Sequence, residues 1–313
     1  MSEHGHIPVL LDETLRLLAP RPGDVVVDGT LGRGGHALSL AKAISPTGHL
    51  IGFDLDQANL QYVRARLAQE LPDFTNFHGF DESFVRMPHQ IAQLGLRADV
   101  MLADLGFSSN QMDEASRGLS FTKESPLDMR LDPRSPITAA DLLASLSERD
   151  LASLIHEYGE DPMARKIARK LAQNRLDQPI QSTTHLARLV EEAYGSKARH
   201  SRLHPATRTF MALRIAVNDE LGALRSLLDA IKRGGERIEK GGWLNARARV
   251  GFICFHSLED RLVKHAFVDL EKRDMLSRLT KRPTTADENE IRNNPRARSA
   301  KLRVARMASK DEL

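Results

Sequence analysis

Residues 28–36, Asp28-Gly29-Thr30-Leu31-Gly32-Arg33-Gly34-Gly35-His36, place an acid directly before four glycines. Glycines let a backbone approach a ligand closely, and a helix beginning there turns its free N–H groups toward that ligand. The spacing Gly32-x-Gly34-x-x-Ala37 also fits a dinucleotide fingerprint, with Asp54 twenty residues beyond Gly34. Nicotinamide enzymes and S-adenosylmethionine enzymes both put an acid at that place to hold ribose hydroxyls. The loop alone leaves both open. The chain contains no G-x-x-x-x-G-K-[S/T], which excludes a P-loop.

Three features favour the methyl donor. Asp28, directly before the glycines, suits a pocket for a cationic sulfonium and its amino group. Asp104 ends a later apolar run, where a methyltransferase of this topology places the residue that faces donor and acceptor together. The chain also lacks a second mononucleotide-binding half. Asp104-Leu105-Gly106-Phe107 falls on the frame of the acid-x-x-aromatic motif of amino-group methyltransferases, without its two prolines. A base amine is a poor nucleophile because its lone pair is delocalised into the ring. A carboxylate that accepts its N–H bonds draws it toward tetrahedral geometry. Phe107 reads equally well as a core residue.

His256, Ser257, Glu259, Asp260 and Arg261, taken with Ser108 and Ser109, raise the possibility of a hydrolase. No G-x-S-x-G elbow supports it. His256 and Ser257 are expected at the ligand edge of a fifth strand, and Ser108 after the fourth, lining an acceptor pocket. Cys254 is the single cysteine, which excludes an intramolecular disulfide framework and a thiolate zinc cluster. His4 and His6 read as part of a frayed terminus, so no metal site is expected. The terminal Lys310-Asp311-Glu312-Leu313 spells a retention signal that has meaning only after entry into the secretory pathway, and it reads as coincidence.

These residues need elements to position them. Strands are expected at 24–30, 50–56, 74–79 and 99–106, with helices from His36, over 57–69 and around 83–94. Strands alternating with helices at this spacing predict a parallel, doubly wound sheet. The rhythm stops at about 113. The segments 139–157, 163–175 and 183–194 have helical spacing, and 210–233 reads as one long amphipathic helix. Strands resume at 249–257 and 301–307. The pattern predicts an α/β domain over 1–112 and 207–313, interrupted by an all-helical insertion over 113–206.

The 313 residues suit about two domains of roughly 150 residues. No apolar run approaches the roughly 18 residues of a membrane helix, and IPVLL at 7–11 is too short for a secretory signal, so a cytoplasmic protein is expected. The net charge of +3 hides an uneven distribution. Residues 163–208 hold ten Lys/Arg against three Asp/Glu, and 272–306 hold eleven against four. Two basic blocks suggest a polyanionic partner. Arg165 shares a helix face with Arg169, as Lys166 does with Lys170. With Arg292, Arg296, Arg298, Lys301 and Arg303, they are expected to grip phosphates.

HIPVLLDE at 6–13, DGTLGRGGH at 28–36, DLGFSSNQMD at 104–113, RGLSF at 117–121 and PLDMRLDP at 126–133 together resemble the RsmH (MraW) family of 16S ribosomal RNA cytosine-N4 methyltransferases. HPATRTF at 204–210, RIAVNDEL at 214–221, FHSLEDR at 255–261 and NPRARS at 294–299 continue the resemblance in order. It implies a Rossmann-like, S-adenosyl-L-methionine-dependent methyltransferase domain with a helical insertion. Its donor-binding positions map onto Gly34, Gly35, His36, Asp54, Asp104 and Gln111, with either Phe80 or Asp81 after the third strand. It implies methylation of N4 of a cytidine near the decoding centre, on small-subunit rRNA or the 30S particle. Departures from the family pattern fall at Phe107, Asn110 and the basic stretch 243–250. A nicotinamide oxidoreductase and a non-catalytic ribosome assembly factor are the competing readings.

Overall fold

A computed structural model describes residues 7–309 apart from 109, 110, 113, 201 and 202. The expectations placed on His4, His6, Ser109, Asn110 and 310–313 lie outside the described residues. The chain divides into two compact units, residues 1–106 with 221–313, and 107–220.

The first unit is built on seven strands: β1 (Val25–Asp28), β2 (His49–Phe53), β3 (Phe77–Phe80), β4 (Ala98–Asp104), β5 (Leu244–Cys254), β6 (Leu276–Arg278) and β7 (Lys301–Met307). Their order is β3-β2-β1-β4-β5-β7-β6. β1 to β5 are parallel, and β7 runs antiparallel to both β5 and β6. The three valines of β1 explain its central place. A strand covered on both faces carries a continuous apolar run. Val25 and Val27 enter one core layer with Phe53, Met101 and Phe252. Val26 enters the opposite layer with Leu40, Leu50 and Leu102. Leu224, Leu227, Leu228 and Ile231, at helical spacing, bring the helix Glu220–Glu236 onto the first layer.

The second unit is helical, with α-helices at Ala139–Ser145, Glu148–Gly159, Ala164–Asp177, Thr183–Tyr194 and Ala206–Asn218. Its core joins Leu143, Ile155, Ile167, Leu171, Leu186 and Phe210.

The structure corrects several boundaries. The expected single helix over 210–233 is two, because Asp219 takes a left-handed conformation (φ 46°) between Asn218 and Glu220. Ala206, Phe210 and Leu213 are buried in the helical core. The two compact units meet in the chain at 106/107 and 220/221. The stretch 243–250 is not a separate insertion before strand five but largely its first half, since β5 begins at Leu244. The short β6 and the helix Leu11–Leu18 are additional elements that the sequence reading did not place.

Candidate active site

The strand order reverses at β1, whose neighbours are β2 and β4. In open α/β sheets, ligands bind outside the carboxyl ends of the strands at such a switch point. Asp28 closes β1 and Asp104 closes β4, and the β1–β4 register pairs Asp28 with Leu102. Asp54 follows β2, and Phe80 and Asp81 stand at the end of β3.

The glycine loop is held from three sides. Asp28 is 1% exposed, and its Oδ1 accepts the Thr30 N–H at 3.1 Å. Thr30 Oγ1 accepts the Asp104 N–H at 2.6 Å, which ties the loop to β4. Asp54 Oδ2 accepts the Gly32 N–H at 2.7 Å and the Asn59 side-chain amide at 3.2 Å, and its Oδ1 accepts the Asp56 N–H at 2.8 Å. Those bonds fill three of about four lone-pair positions of the carboxylate. Gly34, at φ 72°, precedes the helix Gly35–Ile44, and a Cβ there would come within 2.7 Å of Val63. Gly35 opens that helix with no acidic residue in its first turn, so its N-terminal N–H groups remain available to an electron-rich ligand.

His36 is buried, with Nε2 at 2.9 Å from the Val9 carbonyl and Nδ1 at 3.6 Å from Asp104 Oδ2. Donation of the Nε2 proton to Val9 leaves Nδ1 facing the carboxyl. The Asp104 side chain keeps 22% of its surface exposed, while its Oδ1 is buried and has no hydrogen-bond partner among the described residues. Burial, Asp28 and Glu259 push its pKa well above the carboxylate range. Burial first, then the charge of Asp54, also pushes Asp28 up to about 7, against the lowering bond from Thr30. Asp54 is raised by burial to about 6. Buried acids at the ends of adjacent strands make a site that a cation would relax.

Phe80 stacks on Phe53 with ring centroids 5.3 Å apart and packs against the core, and Asp81 follows it in the chain. His256 caps the helix Ser257–Lys272. Its Nδ1 accepts the Glu259 N–H, and its Nε2 lies 3.3 Å from Glu259 Oε1. Glu259 Oε2 in turn accepts the N–H groups of Phe255 and His256. Glu259 thus ties down the end of β5, while His256 Nε2 is buried without a hydrogen-bond partner among the described residues. Ser108 and Gln111 belong to the helical unit, where Gln111 Oε1 accepts the Ser108 N–H at 3.0 Å. The Phe107 ring lies under the Arg214 guanidinium, 4.8 Å from its centroid, and Arg214 makes a two-pronged ion pair with Glu220.

Thr30 escaped the sequence reading, and Glu259 entered it only as a member of a hydrolase-like set. Thr30 carried no signal beyond its place in the glycine loop. Glu259 stands three residues after His256, the spacing of a capping box, although histidine is an uncommon cap.

The basic residues divide. Arg165, Arg296 and Arg298 are exposed, and Arg169 is exposed but lies 3.5 Å from Glu148. Lys170 pairs with Glu192 at 2.7 Å. Arg303 is 4% exposed and bonded to Asp260 at 2.6 Å, and Lys301 shares that carboxylate. Arg303 is therefore a buried structural ion, not a phosphate contact as expected, because its strand position faces the core. No helix among the described residues is long and apolar enough to cross a membrane.

A doubly wound sheet with acids and glycines at its switch point is the arrangement of an enzyme that binds a nucleotide-type cofactor. The sequence matches the MraW methylase family over residues 3–308, and the chain belongs to that family. Its cofactor is S-adenosyl-L-methionine, which sets aside the nicotinamide reading. A Ribosomal RNA small subunit methyltransferase H of Geobacter sulfurreducens is 45% identical, covering 96% of this chain and 98% of its own. One of Koribacter versatilis with the same name is 42% identical over 97% and 95%. Among solved structures, TrmN from Thermus thermophilus is a remote likeness, 13% identical with a TM-score of 0.40, covering 95% of this chain and 48% of its own.

Proposed function

We propose that this methylase modifies N4 of a cytidine in 16S ribosomal RNA of the small subunit, in the decoding-centre region. The observation that carries the reading is Asp104, whose enclosed Oδ1 has no partner among the described residues at the switch point. A buried acceptor without a donor leaves a desolvation penalty that a ligand N–H removes. The residues present fit the donor: the helix that starts at Gly35 has no side-chain cap and offers its N-terminal N–H groups, Asp28 faces the positive charge, and Asp54 retains one lone-pair position for a ribose hydroxyl. Phe80 or Asp81 bounds its base, and His36 holds the Asp104 carboxyl. When bound, the donor supplies a sulfonium methyl. Asp104 accepts an N–H of the acceptor amine, draws the nitrogen lone pair out of conjugation and holds it toward the donor pocket. The names of the relatives support a ribosomal RNA acceptor, the amine chemistry of Asp104 supports N4, and the decoding-centre position rests on the motifs shared with the family. Small subunits lacking the modification, incubated with labelled donor, should gain one methyl on a cytidine amine. Label on a ring carbon or a ribose oxygen would refute the assignment.

Two further outcomes follow from the geometry. Asp54→Ala should weaken donor binding by about 1–3 kcal/mol, through the missing hydroxyl acceptor and the released Gly32 N–H. Calorimetry with the demethylated donor measures it, and an unchanged affinity would remove Asp54 from the pocket. Replacing Arg165, Arg169, Arg296 and Arg298 with Ala should flatten the salt dependence of RNA binding, by about 0.7 in log–log slope for each phosphate no longer neutralised. Donor affinity should not change. An unaltered slope would place the RNA surface elsewhere.

A further inference from the structure

The opposite edge of the same sheet carries a second concavity of about 340 Å³, lined by Arg21, Asp24, Asp99, Arg247, Arg249 and Arg306 over a floor that includes Leu18 and Val100. It lies at the amino ends of β1 and β4. Asp99 and Asp104 are five residues apart on β4, which at about 3.3 Å per residue separates this pocket from the catalytic edge by roughly 16 Å.

Two features of the backbone build it. Ala98 pairs with Leu244 and Val100 with Arg249, so β5 spends five residues where β4 spends two. The segment 245–248, set against the single residue Asp99, bulges out and carries Arg247 at φ 65°, a left-handed conformation unfavourable for a residue with a Cβ. Bulges re-aim side chains, and strained non-glycine residues gather at ligand sites. Beyond the bulge, Arg249 stands directly opposite Arg306 in the β5–β7 register. Like charges directly opposite on a sheet repel. Burial, Arg21 and Arg306 all act to lower the Arg249 pKa, the expected response of a cation enclosed among other cations. Arg249 also donates through one guanidinium nitrogen to the Leu17 carbonyl at 2.8 Å, which fixes its head against the pocket wall.

The acids are placed differently. Asp99 accepts the Val25 N–H and the Asn245 side-chain amide, and Asp24 accepts the Arg21 N–H. With four arginines and two aspartates, the lining has a surplus of two positive charges. Arginine forks match phosphate oxygens in pairs. The volume exceeds what a phosphate alone needs, and the remaining carboxylate lone pairs suit hydroxyl or amine donors beside an apolar floor.

We propose that this pocket is a second, non-catalytic site that takes the phosphate of a ribonucleotide, either a free mononucleotide or a unit of an RNA strand. It is independent of which base the catalytic edge methylates. The full-length protein, saturated with the demethylated donor, is titrated with cytidine 5′-monophosphate, uncharged cytidine and a short oligoribonucleotide without a terminal phosphate. Saturable binding of the monophosphate but not of cytidine supports a free-nucleotide site. Binding of the oligonucleotide but not of the monophosphate supports a strand site. In either case the Arg247→Ala/Arg306→Gln variant should bind at least about tenfold more weakly, as expected when charge-assisted bonds are removed, with donor affinity unchanged. Equal binding of cytidine and its monophosphate, or undiminished binding by the folded variant, would overturn the proposal. So would the absence of binding by either phosphate-bearing probe. Amide chemical shifts of the unaltered protein provide a measurement that needs no variant. Shifts at Val100 and Ala248 are expected on adding the bound probe, and shifts confined to the Asp104 edge would also refute the site.

Discussion

Asp104→Ala is expected to lower methyl transfer by about 10²–10⁴-fold, the range for removing a positioned proton acceptor, while the protein still folds and binds its donor. The carboxyl touches both core edge and acceptor, but its backbone N–H, not its side chain, carries the bond to Thr30. The loop should therefore survive the substitution. Ionisation determines the pH dependence. Burial, Asp28 and Glu259 hold the carboxyl protonated above the ordinary carboxylate range, and the proton must leave before both oxygens can accept. Single-turnover rates of the unaltered enzyme should rise with pH, and Asp104→Asn should lose that rising limb. The bound sulfonium opposes the elevation, so the limb should lie at lower pH with donor bound than in the free protein. A variant that retains its rate within about threefold, measured at saturating donor and RNA, would transfer the acceptor role to another group.

Asp28→Asn should stabilise the protein and impair its binding of the donor. The Asp28 pKa rises from 3.8 to about 7 on folding, with burial the main cause. A raised carboxyl leaves the folded state at no disadvantage below about pH 4, where the group is neutral in both states. The penalty grows as pH rises through the interval and levels off above the folded value, at up to roughly 4 kcal/mol. Asparagine keeps an oxygen for the Thr30 N–H and has no charge to bury. The gain in urea unfolding midpoint should thus be near zero at pH 4, intermediate at pH 5.5 and largest at pH 8. At pH 8 the donor, deprived of a carboxylate facing its cation, should bind about 10- to 100-fold more weakly, in line with losing a charge-assisted bond, and the difference should shrink as pH falls below about 7. Destabilisation at pH 8 would mean that the carboxylate is compensated in the fold. An unchanged donor affinity would mean that it does not face the cation.

The catalytic edge was largely legible in the linear chain. Short apolar runs closed by Asp28 and Asp104 and bounded by glycine read as buried strands, and a parallel sheet brings their ends to one side. Gly34 was legible for a related reason, since a left-handed helix start tolerates no Cβ against Val63. The long motifs placed the family on sequence alone. Helix breaks were less visible: nothing in the periodicity of 210–233 marks Asp219, because both flanking helices keep apolar spacing and only a left-handed cap separates them.

What the tertiary structure decided was the state of the charges. Arg303 and Arg296 are of one type in one basic block, yet Asp260, forty-three residues before Arg303, takes the first into the core while the second remains in solvent. His256 was read as a pocket residue, and the fold adds a cap bond from the Glu259 N–H to its Nδ1, with Nε2 buried 3.3 Å from Glu259 Oε1. The stretch 243–250 read only as a basic departure from the family pattern, and its pairing against β4 makes it a bulge that helps gather four arginines at one edge. Periodicity and turn chemistry act between near neighbours, so a sequence expresses them directly. Ion pairing, burial and pKa depend on residues brought together from distant parts of the chain, and those distances exist only once the sheet has closed.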